Sequence, residues 1–189
     1  MLAETSITYC ARTFGERAEE QREEPCFTGN LDDLLQLDAE TLGRMYETAR
    51  VPRLSDVTGD LRGRMLALPA LGGVVAGAVR AFASSRAFPW KGKSFRAMPA
   101  NEERGDGINR VVLDRWRLYR FETFVGKSLA GDFDAVQLDY DNEDNPFFIR
   151  PIRDEIREIA KGLYLGQAYF KTAKDAHLVL YFALSKAAG

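Results

Sequence analysis

From Trp90 to Leu184 the chain carries seven segments in which apolar and polar residues alternate, and none with a convincing helical period. They are Trp90–Ala97, Gly107–Leu113, Arg115–Ser128, Phe133–Tyr140, Phe147–Ile159, Leu163–Phe170 and His177–Leu184. The residues between them are those of tight turns: Pro99 to Asn101, Ala130 to Asp132, Asp141 to Pro146, Lys161-Gly162 and Lys171 to Asp175. An earlier segment, Gly59–Leu66, reads as one more strand. Short connections favour antiparallel neighbours. Eight consecutive strands leave exposed edges unless the sheet closes. The expected fold is therefore mainly β with accessory helices: a closed or nearly closed antiparallel barrel of about eight strands. Such a barrel is just wide enough to hold one small ligand.

The rest of the chain supplies the accessory parts. Residues 1–29 are polar and without period, and read as an N-terminal arm, disordered in part. Residues 30–189 read as a single barrel domain, with helices at 31–50 and 70–86 and strands at 59–66 and 90–184. Asn30 can cap a short helix bearing Leu31, Leu34 and Leu35. Asp38 can cap a second one through Arg50, with Leu42, Met45, Tyr46 and Ala49 on one stripe, and Pro52 stops it. Pro69 suits the first turn of the helix over 70–86. There Leu71, Val74, Val75, Ala78, Val79 and Phe82 form the bulky stripe, opposite Gly73, Ala76, Gly77 and Ala81.

Composition narrows the function. Hydrophobic residues make up 46% and charged residues 29% of the 189, a globular balance. A net charge of −2 gives no general attraction to nucleic acid. No apolar run approaches the roughly 20 residues of a membrane span, and the first 20 residues do not read as a signal peptide. The two cysteines, Cys10 and Cys26, lack zinc or redox spacing and read as free thiols in a reducing compartment. The expectation is a cytoplasmic protein with a small apolar ligand as its partner and with no metal or cofactor. The acidic run from Asp139 to Asp144 is not an EF-hand, because the sixth and twelfth positions are Asp144 and Arg150 rather than Gly and Glu.

Three stretches resemble a known family. They are Gly59-Asp-Leu61-Arg-Gly63-Arg64, Trp90-Lys91-Gly92-Lys93-Ser94-Phe95, and Asp139-Tyr140-Asp141 with Asn145-Pro146 and Phe148-Ile149-Arg150. A Gly162-Leu-Tyr-Leu-Gly166 segment and a Tyr/Phe-rich last strand complete the pattern over residues 31–185. This is similar to bacterial and fungal proteins in which a GXWXG domain is joined to a domain of unknown function. The resemblance implies a calycin, that is lipocalin-like, barrel with a pocket, and no particular reaction. In lipocalin-like barrels the motif Trp closes the barrel floor; here Leu61 stands in its place.

Candidate site residues follow from the strand faces. Arg150 and Asp154, four apart on one expected strand, share a face with Phe148, Ile152 and Ile156. If that face lines the lumen, Arg150 either anchors an anionic ligand group or pairs with Asp154. Tyr119, Tyr140, Tyr164, Tyr169 and Tyr181 offer apolar bodies with hydroxyl tips, and Gln167 sits in the apolar row of Leu163, Leu165 and Tyr169. His177, the sole histidine, opens the last strand. Lys93 shares a face with Phe95, but it and Lys91 read as solvated lysines beside a packed Trp90. Tyr119, Tyr140, Arg150, Asp154, Gln167, Tyr169, His177 and Tyr181 are thus the expected ligand contacts. The function expected is binding or carriage of a small lipid-, terpenoid- or aromatic-like metabolite. The alternative is an isomerase, cyclase or hydratase using Asp154, Tyr140 or His177 as acid or base.

Overall fold

The structure, a computed structural model, describes residues 27–69, 90–98, 101–111 and 116–186. A 3-10 turn at Asp33–Gln36 leads to two helices, α1 (Ala39–Thr48) and α2 (Leu54–Val57). Eight strands follow: β1 (Gly59–Ala67), β2 (Trp90–Met98), β3 (Asn101–Val111), β4 (Trp116–Lys127), β5 (Asp134–Asp139), β6 (Ile152–Ala160), β7 (Leu163–Lys171) and β8 (Ala176–Lys186). Each strand pairs antiparallel with its sequence neighbour, and β8 returns to β1 in a register running from Leu61↔Lys186 to Ala67↔Tyr181. The sheet is a closed barrel. Among the described residues no helix is long and apolar enough to cross a membrane. The helix expected over 70–86 and nearly all of the arm, 1–26, lie outside the described residues.

Two apolar clusters sort the side chains by strand face. The interior holds Leu61, Phe95, Phe121, Val136, Leu138, Tyr140, Ile156, Tyr164, Phe182 and Leu184. Leu54 and Val57 of α2 join this cluster, so α2 closes the end of the barrel at which β1 begins. The Tyr164 hydroxyl donates to the Asp56 carbonyl at 2.8 Å and ties that floor to β7. Leu61 is fully buried beside it. The second cluster lies outside the barrel, where Leu34, Leu42, Met45 and Tyr46 cover Ala135, Leu163, Leu165, Tyr181 and Ala183.

Polar side chains fasten this outer layer. Asp38 caps α1 by accepting from the Thr41 N–H at 2.7 Å. Arg157 of β6 donates to the carbonyls of Tyr46 and Glu47 at the other end of α1, at 3.2 and 2.9 Å, with the Phe133 ring 4.3 Å away. A cation there satisfies carbonyls that the helix cannot. Arg50 makes a two-way backbone bridge to Glu158 and a 2.7 Å ion pair with its carboxylate. That bridge is why α1 ends at Thr48 and not at Arg50.

Two strand boundaries depart from expectation. The strand expected over Phe147–Ile159 begins only at Ile152. Ile149 and Arg150 donate backbone N–H to the Pro146 carbonyl and Ile152 donates to Ile149, so 146–151 is coiled into turns. Pro151 has no N–H with which to continue a ladder. Arg150 therefore does not share a strand face with Asp154. In the other direction, β3 starts at Asn101 rather than at the expected Gly107, and Gly105-Asp106-Gly107 lies mid-strand. A Cβ on Gly107 would lie 2.3 Å from the Phe121 ring, and one on Gly105 2.7 Å from the Thr123 hydroxyl. Those glycines admit large neighbours from β4 rather than a reversal of the chain.

Leu42 is fully buried between α1 and the barrel wall. Leu42→Ala is expected to cost about 2–5 kcal/mol in urea unfolding. A loss under about 1 kcal/mol would show that α1 is not integral to the fold.

Candidate functional site

Strand parity carries several polar side chains into the interior, Thr123 of β4 among them, and four others meet at one place. On β2, Lys93 precedes Phe95 by two residues and points inward with it. On β3, Asn109 follows Gly107. Tyr140 continues the inward row Val136, Leu138 just beyond β5. On β6, Asp154 precedes inward Ile156. All four lie toward the end of the barrel opposite α2, and all are buried.

They form one network. The Lys93 ammonium donates to Asp154 Oδ2 at 2.8 Å, to Asn109 Oδ1 at 2.8 Å and to the Tyr140 hydroxyl at 2.5 Å. The Tyr140 hydroxyl donates to Asp154 Oδ2 at 3.1 Å and accepts from Asn109 Nδ2 at 3.0 Å. Asn109 Oδ1 also accepts from Trp90 Nε1 at 3.0 Å, and Nδ2 donates to the Tyr119 carbonyl at 3.3 Å. The rings of Trp90, Phe121, Tyr140 and Phe182 surround the ammonium at 5.2–5.5 Å. Asp154 Oδ1 is buried and receives no hydrogen bond from the protein.

Local backbone irregularities shape this corner. Tyr119 has φ 60°, and it is skipped between the Ile108↔Arg120 and Asn109↔Leu118 pairs. That bulge turns its carbonyl toward Asn109, and bulges of this kind re-aim groups beside sites. Gly92 has φ 131°, which favours glycine, and a Cβ there would lie 2.0 Å from the Leu61 carbonyl. The Trp90 ring packs on Gly63, 2.6 Å from where its Cβ would be. Trp90, not a Trp within the glycine motif, is thus the indole lying on β1.

The electrostatics follow from burial. Desolvation pushes the Lys93 ammonium below its usual pKa, and Asp154 opposes that shift without cancelling it. Burial, then the Asp154 charge, pushes the Tyr140 phenol well above its usual value, so it stays a neutral hydroxyl.

Of the residues singled out from sequence, Tyr140 and Asp154 are in the network and Tyr119 supplies a backbone carbonyl to it. Arg150 is at the rim, donating to the carbonyls of Asn145 and Glu143 at 3.0 and 2.8 Å and holding that loop together. With Asp139, Asp141, Arg153 and Lys171 it lines a surface hollow of about 250 Å³. Gln167, Tyr169 and Tyr181 face outward beneath α1, with the Tyr169 hydroxyl donating to Gln167 at 2.6 Å. Gly166, which packs on the Phe182 ring, takes the inward place next to Gln167. His177 is exposed. Lys93 and Asn109 went unrecognised. The signal for Lys93 was its place two residues before Phe95 in an inward row. Asn109 carried none, because its bulged neighbourhood blurs the alternation. Among the described residues no group of three or more His, Cys, Asp or Glu could hold a metal ion.

No protein-family model matches the chain, and no curated protein matches it. A crystal structure of a protein from Thermomonospora curvata is similar at 16% identity and a TM-score of 0.46, over 80% of this chain and 89% of that one.

Burial raises the phenols of Tyr46, Tyr140, Tyr164, Tyr169 and Tyr181. Their folded pKa values exceed the unfolded value of about 10. The stability they contribute is present below pH 10 and is lost as pH rises above it. Absorbance titration at 295 nm is expected to show these five phenolates appearing late and together with unfolding, and four in Tyr140→Phe. Five smooth, reversible ionisations near pH 10 in folded protein would contradict the described burial.

Proposed function

We propose that the barrel is a container for a small, mostly apolar molecule of lipid, terpenoid or aromatic type, with its polar end held at Lys93, Asp154, Tyr140 and Asn109. One observation carries this reading: β2, β3, β6 and the residue just beyond β5 aim four polar side chains at a single point inside a mainly apolar interior. Removing a lysine and an aspartate from water costs several kcal/mol per ion, and apolar residues of the same volume are often as stable or more so. Stability therefore gives little reason for such a pair, whereas a ligand's polar group does. The resemblance to the GXWXG proteins agrees with a container. In this chain Leu61 and α2 would together do the floor-closing that the motif Trp does elsewhere. We place the protein in the cytoplasm, in keeping with its two cysteines lacking any disulfide, zinc or redox pattern.

A second reading, acid/base chemistry on the ligand, is favoured by Asp154 itself. One of its oxygens is fixed by Lys93 and Tyr140 while the other is uncommitted, the arrangement of a positioned general base. His177, exposed at the rim, has no part in that version.

The test separates ligand holding from structure. Lys93→Met with Asp154→Leu removes both charges and is expected to leave stability unchanged or raised by up to about 4 kcal/mol, whereas Asp154→Leu alone should cost about 3–5 kcal/mol. Native mass spectrometry of purified wild-type protein is expected to show a co-purifying small molecule that the double variant lacks. The container reading fails if wild type carries no such molecule and also does not bind the apolar fluorophore N-phenyl-1-naphthylamine. The role given to the network fails if the double variant retains the molecule.

A further inference from the structure

The interior network has one uncommitted atom, and its chemistry selects the ligand. A protonated lysine has three N–H donors, and Lys93 spends them on Asn109, Tyr140 and Asp154. Tyr140 has one O–H, given to Asp154 Oδ2, while its oxygen accepts from Lys93 and Asn109. Asn109 spends both amide hydrogens, on Tyr140 and the Tyr119 carbonyl, and its oxygen takes Trp90 and Lys93. The donors are exhausted. What remains is an acceptor, Asp154 Oδ1, on a side chain only 7% exposed.

We infer that the ligand's polar end is a neutral hydrogen-bond donor, an alcohol or phenol hydroxyl, received by Asp154 Oδ1. This rests on the container reading above. A ketone, ester or ether brings only acceptors and finds no donor left in the network to meet it. A carboxylate brings acceptors and a negative charge beside the Asp154 carboxylate. An amine brings a second cation to a carboxylate already paired with the Lys93 ammonium at 2.8 Å, among four aromatic rings. Of these polar ends, the hydroxyl is the one that supplies a hydrogen without a charge. A buried carboxylate oxygen lacking a partner is costly, so the bond it forms with that hydrogen is a charge-assisted one.

The test uses three chains of similar length, 1-decanol, 2-undecanone and decanoate, measured by displacement of N-phenyl-1-naphthylamine. Wild type is expected to bind 1-decanol about 10- to 100-fold more tightly than the other two, the range of a hydrogen bond to a charged group. Asp154→Asn sharpens the test. Lys93 and Tyr140 both demand an acceptor at Oδ2, so the new amide turns its oxygen toward them and its NH2 toward the ligand. The alcohol preference should then vanish or reverse in favour of 2-undecanone. Should that variant fail to fold, the wild-type ranking decides alone. Ketone or decanoate binding as tightly as the alcohol overturns the inference and leaves the container reading standing. An alcohol preference unchanged in folded Asp154→Asn overturns the role of Asp154. If neither the fluorophore nor any of the three chains binds, the container reading and this inference fall together.

Discussion

The pairing of β8 with β1 is the contact on which everything else depends. It converts a meander with two open edges into a surface with an inside. Once closed, the strand period of two becomes a rule for destination: every second residue goes to the interior and its neighbours go to the outer face. Asp154 and Glu155 are adjacent in sequence and are sent to opposite sides of the wall. The two cores, one inside and one beneath α1, are both consequences of that single closure.

A closed interior also changes what a charge is worth. Lys93 is buried, so its ammonium is held by oxygens of Asn109, Tyr140 and Asp154 and by the faces of four rings. Cation–π attraction and charge-assisted hydrogen bonds both strengthen when water is excluded. The two irregularities next to the network, the skipped Tyr119 and the left-handed Gly92, adjust a regular ladder so that four side chains can converge. Neither would be needed to fill a barrel with leucine and phenylalanine.

Much of the fold was legible, because strand alternation and turn residues are local signals. The turns at Ala130 to Asp132 and Lys161-Gly162 fall where the polar residues put them. Failures came where one local signal served two purposes. Gly105 and Gly107 are turn-forming residues by composition, yet they sit mid-strand because Phe121 and Thr123 occupy the space their side chains would take. Phe147 to Arg150 has the pattern of a strand, but the Pro146 carbonyl gathers its N–H groups into a coil. That error moved Arg150 from a supposed lumen position to the rim. In β7 and β8 both faces are apolar, since α1 covers the outer one, so Gln167, Tyr169 and Tyr181 could not be assigned a side from alternation. Lys93 could have been, given Phe95, but a lysine is so seldom buried that composition outweighed parity.

The contrast between Asp154 and Glu155 separates a structural carboxylate from one with something left to do. Glu155 is fully buried on the outer side, and both its oxygens are used. Oε1 accepts from the Ser128 hydroxyl, and Oε2 accepts from the Leu129 N–H and the Gln137 amide. Every bond goes to the β4–β5 connection or to the strand beside it, so the residue pins a hairpin and its capacity ends there. Asp154 carries the same charge at nearly the same burial, but both of its donors, Lys93 and Tyr140, converge on Oδ2. A carboxylate that served only to neutralise Lys93 could spread its donors over both oxygens, as Glu155 does. With Lys93 and Tyr140 also bonded to each other, the pair instead holds one oxygen firmly and aims the other. Burial alone marks both residues as unusual; the distribution of donors over the two oxygens marks Asp154 as the one with an acceptor left over.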